Sequence, residues 1–165
     1  MLGADPATLS AVLPDEPAAA DFLALIRATM IDALRQRALI EPVLGTGQAL
    51  IDYLHAEMAH ARIEQFRVLF LDIANRLLRD EVMSRGSIRE ARVYPREIMR
   101  RALEVGATAV ILVHNHPSGD PTPSAADIGL TAQIVAAGST MEVQVHDHLI
   151  IGRAGWVSFR QEGLL

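Results

Sequence analysis

The chain reads as an α/β protein: a mixed β-sheet with helices packed against it, preceded by an N-terminal helical segment. Three observations predict this. Short runs rich in apolar, β-branched and aromatic residues, at 66–71, 109–113 and 145–151, alternate with longer stretches whose apolar residues recur at helical spacing. Glycines 86, 106 and 138 fall where such runs stop. At 165 residues, half of them hydrophobic, the chain has room for one ordinary domain with a proper core.

Taken in order, residues 1–17 hold Pro6, Pro14 and Pro17 among small and acidic residues and are expected to form an irregular leader. Over 18–39, Phe22, Ile26, Met30 and Leu34 recur every four positions, with Leu23 and Ile31 widening the stripe, which predicts an amphipathic helix ending near Glu41-Pro42. Its apolar stripe suits core packing, or a homodimer contact. A second helix follows Gly47, with Leu50, Tyr53, Leu54, Met58 and Ala61 inward and His55 and His60 off the stripe, solvated. From 64 to 72, Phe66, Val68, Leu69, Phe70 and Leu71 predict a strand. Residues 73–76 offer a turn, and 77–84 return as a more exposed strand, with a short third strand around 89–93. Pro95 opens a helix with Ile98, Ala102 and Val105 on one face and Gly106 as its stop. The central strand over 109–113 leads into an irregular loop and a helix over 124–137 that Gly138 terminates. Residues 141–151 and 156–159 are the last strands, joined by a turn over 152–155. No internal repeat or low-complexity segment is visible.

Composition narrows the function classes. The net charge of −5 argues against a domain devoted to phosphate backbones, which usually carries a basic excess. The absence of cysteine removes disulfides, thiolate zinc sites and cysteine nucleophiles, and with them the zinc-deaminase pattern. No basic segment followed by an apolar stretch opens the chain, and no apolar run approaches the ~20 residues that cross a bilayer. A cytoplasmic protein without a membrane partner is expected.

The stretch HNHPSGDPTPSAAD, residues 114–127, carries the chemistry. His114 and His116 are two apart at the end of an extended segment, so their imidazoles project to one side. Pro117, Gly119, Pro121 and Pro123 force a loop, after which Ser124 starts a helix with Asp127 in its first turn. Two nitrogens and one carboxylate then converge, the ligand set of a zinc site that keeps a fourth position for water. The plainer reading of the same residues is a polar loop followed by a capping box, since Ser-x-x-Asp caps helices as well.

His114, His116, Pro117, Ser124 and Asp127 match the His-x-His-Pro, six residues, Ser-x-x-Asp signature of JAB/MPN (JAMM) zinc metallopeptidases, and HNHPSGDPTPS resembles the bacterial RadC branch of that family. The resemblance covers residues 46–165, leaving 1–45 as a helical lead-in. It implies a curved sheet with helices on both sides, of the cytidine-deaminase-like type, and a Zn2+ ion on His114, His116 and Asp127. It also implies that Ser124 donates to the oxyanion of a tetrahedral intermediate and that a glutamate on or before the first strand moves protons. Glu64 fits that description, with Glu81 on the next strand as the alternative. RadC-like proteins normally carry a helix-hairpin-helix region upstream. No Gly-x-Gly hairpin precedes the domain here, so at most the last helix of such a module corresponds to 18–39.

The implied activity is hydrolysis of an amide bond in a peptide or protein substrate by metal-activated water. The alternative is a DNA-repair-associated binding or scaffolding module with little turnover. Arg85, Arg89, Arg92, Arg96, Arg100 and Arg101 form the one dense basic segment, diluted by Glu90 and Glu97. An HNH nuclease is suggested by three letters alone, which that class spreads over a longer ββα element. His146 and His148 form a second i, i+2 pair, the main rival for a metal. They are read as buried, satisfied histidines, one of which can hydrogen-bond near the site. Asn115 alternates away from the metal and receives no chemical role.

Overall fold

The structure, a computed structural model, describes residues 6–40, 47–86 and 93–165, the side chains of residues 39 and 40 excepted. Its elements are α1 (Pro6–Val12), α2 (Pro17–Ile40), α3 (Gly47–Met58), β1 (Gln65–Leu71), β2 (Leu77–Arg85), α4 (Pro95–Val105), β3 (Ala109–Asn115), α5 (Ala125–Thr140), β4 (Gln144–Gly152) and β5 (Gly155–Ser158). The expected helix end at Glu41-Pro42 and all but Val93 of the expected third strand lie outside the described residues.

The strands form one mixed sheet in the order β2-β1-β3-β4-β5. β3 sits at its centre, antiparallel to β1 and parallel to β4. A parallel pair needs a long crossover, and α5 supplies it. All seven residues of β3 are buried, which is why this strand reads as an unbroken apolar run rather than an alternation. Leu69, Leu71, Ile111, Val113, Leu149 and Ile151 pack on α3 through Leu50, Ile51, Leu54 and Met58. Phe66, Val68, Phe70, Val110, Leu112 and Val145 form a second cluster with Ile98, Met99 and Ala102 of α4 and Ile134 of α5. The two sets alternate along the strands, so helices cover both faces of the sheet. Each large side chain removed from water contributes roughly 1.5–3 kcal/mol.

Four departures from the sequence reading have physical causes. The leader is not irregular throughout: Pro6 starts α1, where its missing N–H is no loss, and Leu9 is buried. The expected stripe of α2 is rotated. Phe22 and Met30 are 62% and 49% exposed, and the inward residues are Ala20, Arg27, Ile31, Leu34 and Ala38. Residues four apart drift by about 40° per step on a 3.6-residue helix, so a strict four-residue stripe leaves any fixed face. Arg27 turns inward because Nη2 donates to the carbonyls of Ala56 and Glu57, orphan acceptors at the end of α3. Gly138 does not end α5, which runs to Thr140. A Cβ at Gly138 would lie 2.4 Å from the Val143 carbonyl oxygen, so this glycine admits the chain entering β4.

The fourth departure lies in β4. Val110 pairs with Val145 but Ile111 pairs with Asp147, a register shift that leaves His146 as an extra residue. His146 and His148 therefore do not share a face as strict alternation would require. His146 and Asp147 line a cavity of about 330 Å³ on the α3 side with Ile51 and Ile111. His148 turns toward α5, where Thr131 meets it.

Candidate metal centre

Three pieces of local structure assemble the site. The first is the end of β3, where His114 pairs with Phe66 on one side and Ile150 on the other, which fixes the imidazole on the α5 face. The second is the loop after His116. His116 N donates to Ile151 O at 2.9 Å, and Ala154 N donates to Gly119 O at 3.1 Å, so the loop is docked on the β4–β5 turn. Gly152 permits this approach, since a Cβ there would lie 2.4 Å from Gly119 O. The third is the start of α5. Ser124 is its N-cap and Asp127 its third residue, joined in a reciprocal capping box.

The sequence-predicted ligands meet. His114 Nε2 lies 3.0 Å from His116 Nε2 and 3.3 Å from Asp127 Oδ1, and His116 Nε2 lies 3.6 Å from Asp127 Oδ2. One ligand atom from each of the three residues falls within 4.8 Å of the others. A tetrahedral zinc ion with bonds of ~2.0–2.1 Å has ligand atoms roughly 3.3 Å apart. Two further observations fit a cation. His116 Nδ1 is 2.8 Å from the Asp120 carbonyl oxygen, which can only accept, so that ring hydrogen sits on Nδ1 and a neutral ring presents a lone pair at Nε2. Asp127 Oδ2 accepts from Ser124 N at 2.8 Å and Ser124 Oγ at 2.6 Å, whereas Oδ1 is buried with no hydrogen-bond partner among the described residues. A buried carboxylate oxygen without a donor is costly, and a bound cation removes that cost.

Electrostatics follow the same geometry. Burial pushes His114 down to about 4, against the attraction of Asp127. The Asp127 carboxylate, 3.6 Å from Nε2, pulls His116 upward, against burial, and the nearby Glu64 charge adds to the rise. Burial would raise Asp127, but His116, the electrostatic interaction with the His114 imidazole and the two Ser124 donors hold it well below the usual carboxylate range. The carboxylate is thus ionised at neutral pH and His114 is neutral, the protonation states that bind metal.

The remaining candidates separate. Glu64 is half-buried just before β1, close enough for its charge to act on His116. Glu81 faces α4, where Arg101 holds both its oxygens at 2.6–3.1 Å and lowers its pKa. Asn115 points away from the metal ligands, as alternation predicts, but its amide is engaged: Oδ1 accepts from Gln65 N and Nδ2 donates to Ile63 O. His146 bonds Asn75 Oδ1 at 2.6 Å in the β1–β2 turn, so it takes no part in this cluster. His148 does touch the site, with Nε2 2.8 Å from His114 Nδ1. Thr131, absent from the sequence reading, completes that contact. Its signal was a polar residue four positions after Asp127, one helical turn along the same face. In the basic segment Arg96 and Arg100 pair with Glu97, Arg100 also with Glu104, and Arg101 with Glu81 and Glu104, while Arg89 and Arg92 lie outside the described residues. Among the described residues no helix is long and apolar enough to cross a membrane.

Comparison with known proteins bears on the same residues. A family model described as "RadC-like JAB domain" matches residues 44–164. A "UPF0758 protein" of Rhodobacter capsulatus is 51% identical over all 165 residues, which correspond to 77% of that protein. Another UPF0758 protein, from Ruegeria pomeroyi, is 49% identical over 143 residues, covering 87% of this chain and 64% of the relative.

Proposed function

Since this chain belongs to the RadC-like JAB domain family, we propose that it is a JAMM-type zinc hydrolase that cleaves an amide bond in a peptide or protein substrate. The observation that carries the reading is the convergence of two imidazole Nε2 atoms on the Asp127 carboxylate, whose buried Oδ1 has no donor among the described residues. His114, His116 and Asp127 hold the ion, which supplies the Lewis acidity that makes water a competent nucleophile near neutral pH. Glu64 takes the proton of the attacking water on its carboxylate and delivers it to the leaving nitrogen. Glu81 is the weaker candidate for that work, because a carboxylate clamped by a guanidinium is a poor base at pH 7. Ser124 Oγ steadies the oxyanion. For this its hydrogen leaves Asp127 Oδ2, which Ser124 N continues to satisfy.

Metal analysis of the purified protein tests the reading, followed by an unbiased peptide-cleavage screen with a chelator control. About one zinc per chain is expected in the wild type, with large losses in His114→Ala and Asp127→Asn. Glu64→Gln keeps the metal and loses turnover, whereas Glu81→Gln keeps both. Full-affinity zinc in Asp127→Asn would remove Asp127 from the ligand set.

A further inference from the structure

His148 and Thr131 are buried polar residues that the hydrolytic reading leaves without work, at 0% and 2% exposure. Their contacts form one chain. Thr131 Oγ1 donates to the main-chain carbonyl of Asp127 at 2.6 Å and lies 2.6 Å from His148 Nδ1. His148 Nε2 lies 2.8 Å from His114 Nδ1. A threonine hydroxyl has one hydrogen, so once it is given to Asp127 O the contact with His148 has one polarity: Nδ1–H donates into Oγ1. A neutral His148 then has a bare Nε2, which accepts from His114 Nδ1–H. A neutral His114 with its hydrogen on Nδ1 has its lone pair on Nε2, the atom that faces His116 and Asp127. The opposite polarity, with Thr131 donating to His148, ends with a hydrogen on His114 Nε2 and closes that position to a metal.

We propose that His148 is a positioning residue that sets the tautomer of His114, through a hydrogen-bonded relay from His114 to His148 to Thr131 to the Asp127 carbonyl. The relay links two of the three ligand residues through side chains that never meet the ion. It also explains the packing around it. Phe159 lies against the His148 ring with centroids 4.6 Å apart, and Phe66 meets it edge-on at 5.6 Å while stacking over His114 at 6.2 Å. Rings packed this way are hindered from turning to exchange their two nitrogens. Groups behind a metal-binding histidine orient it and raise its basicity, and their removal typically weakens metal binding about 10–100-fold.

The inference rests on the metal-centre reading, and the test separates the two. Zn2+ and Co2+ affinities are measured on the full chain for the wild type, Asp127→Ala, His148→Ala, His148→Gln and Thr131→Val. Ring 15N shifts are recorded for the metal-free wild type. Expected are a single wild-type site lost in Asp127→Ala, binding weakened roughly 10–100-fold in His148→Ala, and substantial recovery in His148→Gln, whose Oε1 can accept from His114. Thr131→Val, which removes the acceptor for His148 Nδ1–H, weakens binding in the same direction. The 15N shifts place hydrogens on Nδ1 of both His148 and His114. A wild type that binds no metal overturns the underlying reading and this relay with it. Tight wild-type binding left unchanged by His148→Ala overturns the relay alone. Should His148→Ala fail to fold, hydrogens on Nε2 of both rings in the wild type overturn the relay, and hydrogens on Nδ1 uphold it.

Discussion

Asn115 accepts from Gln65 N at 2.8 Å and donates to Ile63 O at 3.3 Å, so one buried amide holds both residues that flank Glu64. The residue between the two histidines therefore fixes where the proposed proton carrier stands relative to the metal, although its side chain points away from it. Replacing it by alanine takes the side-chain partner from the part-buried Gln65 N–H and Ile63 carbonyl, at no more than the about 1–3 kcal/mol that fully buried groups of this kind cost. Asn115→Ala is expected to lower stability by that order in urea denaturation. It should also reduce turnover much more than zinc affinity, as titration alongside a cleavage assay would read. Glu81 gives a second prediction at this scale. Its pKa is depressed below 4.5 by the Arg101 hydrogen bonds, so the stabilisation it provides is fully present above that ordinary value and is lost as pH falls through the depressed one. The stability difference between wild type and Glu81→Gln should be constant from pH 5 to 7 and shrink on acidification below pH ~4.5. A gap that instead grew toward acid would contradict the pairing.

Two glycines show how elements position the site. Gly152 ends β4 against Gly119 of the loop after His116, and Gly138 in α5 lies against the Val143 carbonyl; a Cβ at either would come within 2.4 Å of a backbone oxygen. Either alanine variant forces backbone to move, at about 1–3 kcal/mol for overpacking. Gly152→Ala should also weaken metal binding, because the displaced backbone carries His116. Gly138→Ala should lose similar stability in urea melts with its metal affinity intact. The same elements mark what could be read from sequence. β3 was legible because a central strand buried on both faces is apolar throughout, and the start of α5 because a capping box is a local signal. The His114–His116–Asp127 cluster was legible because two histidines at a strand end and an acid in the first helical turn need only local geometry to converge. Gly138 was misread because a stop and a close approach demand the same residue, and only the neighbouring chain at Val143 distinguishes them. The separation of His146 from His148 depends on a register shift against β3, a property of two strands that neither strand's pattern contains. The face of α2 depends on where α3 ends its carbonyls, so Arg27 points inward although its charge predicts an outward position.

At the scale of the whole molecule, the apolar clusters on the two faces of the sheet draw on every helix from α2 to α5, and neither requires a metal ligand. The ligands sit at the end of β3 and the beginning of α5, where the capping box, the loop hydrogen bonds and the docked turn already fix the backbone. The fold should therefore outlast the ion. Chelator-treated protein is expected to keep its far-UV circular dichroism and a single cooperative melt, unlike small zinc domains whose folding is metal binding. What metal adds is linkage: at a free concentration of 100 times Kd it stabilises by about 2.7 kcal/mol. For a chain of this length that raises Tm by roughly 5–10 °C, and the rise should vanish in Asp127→Ala. A chelated protein that lost its circular dichroism would show that the ion holds the fold itself. In that case the crossing of β3 into α5 would have to be explained by coordination rather than by packing.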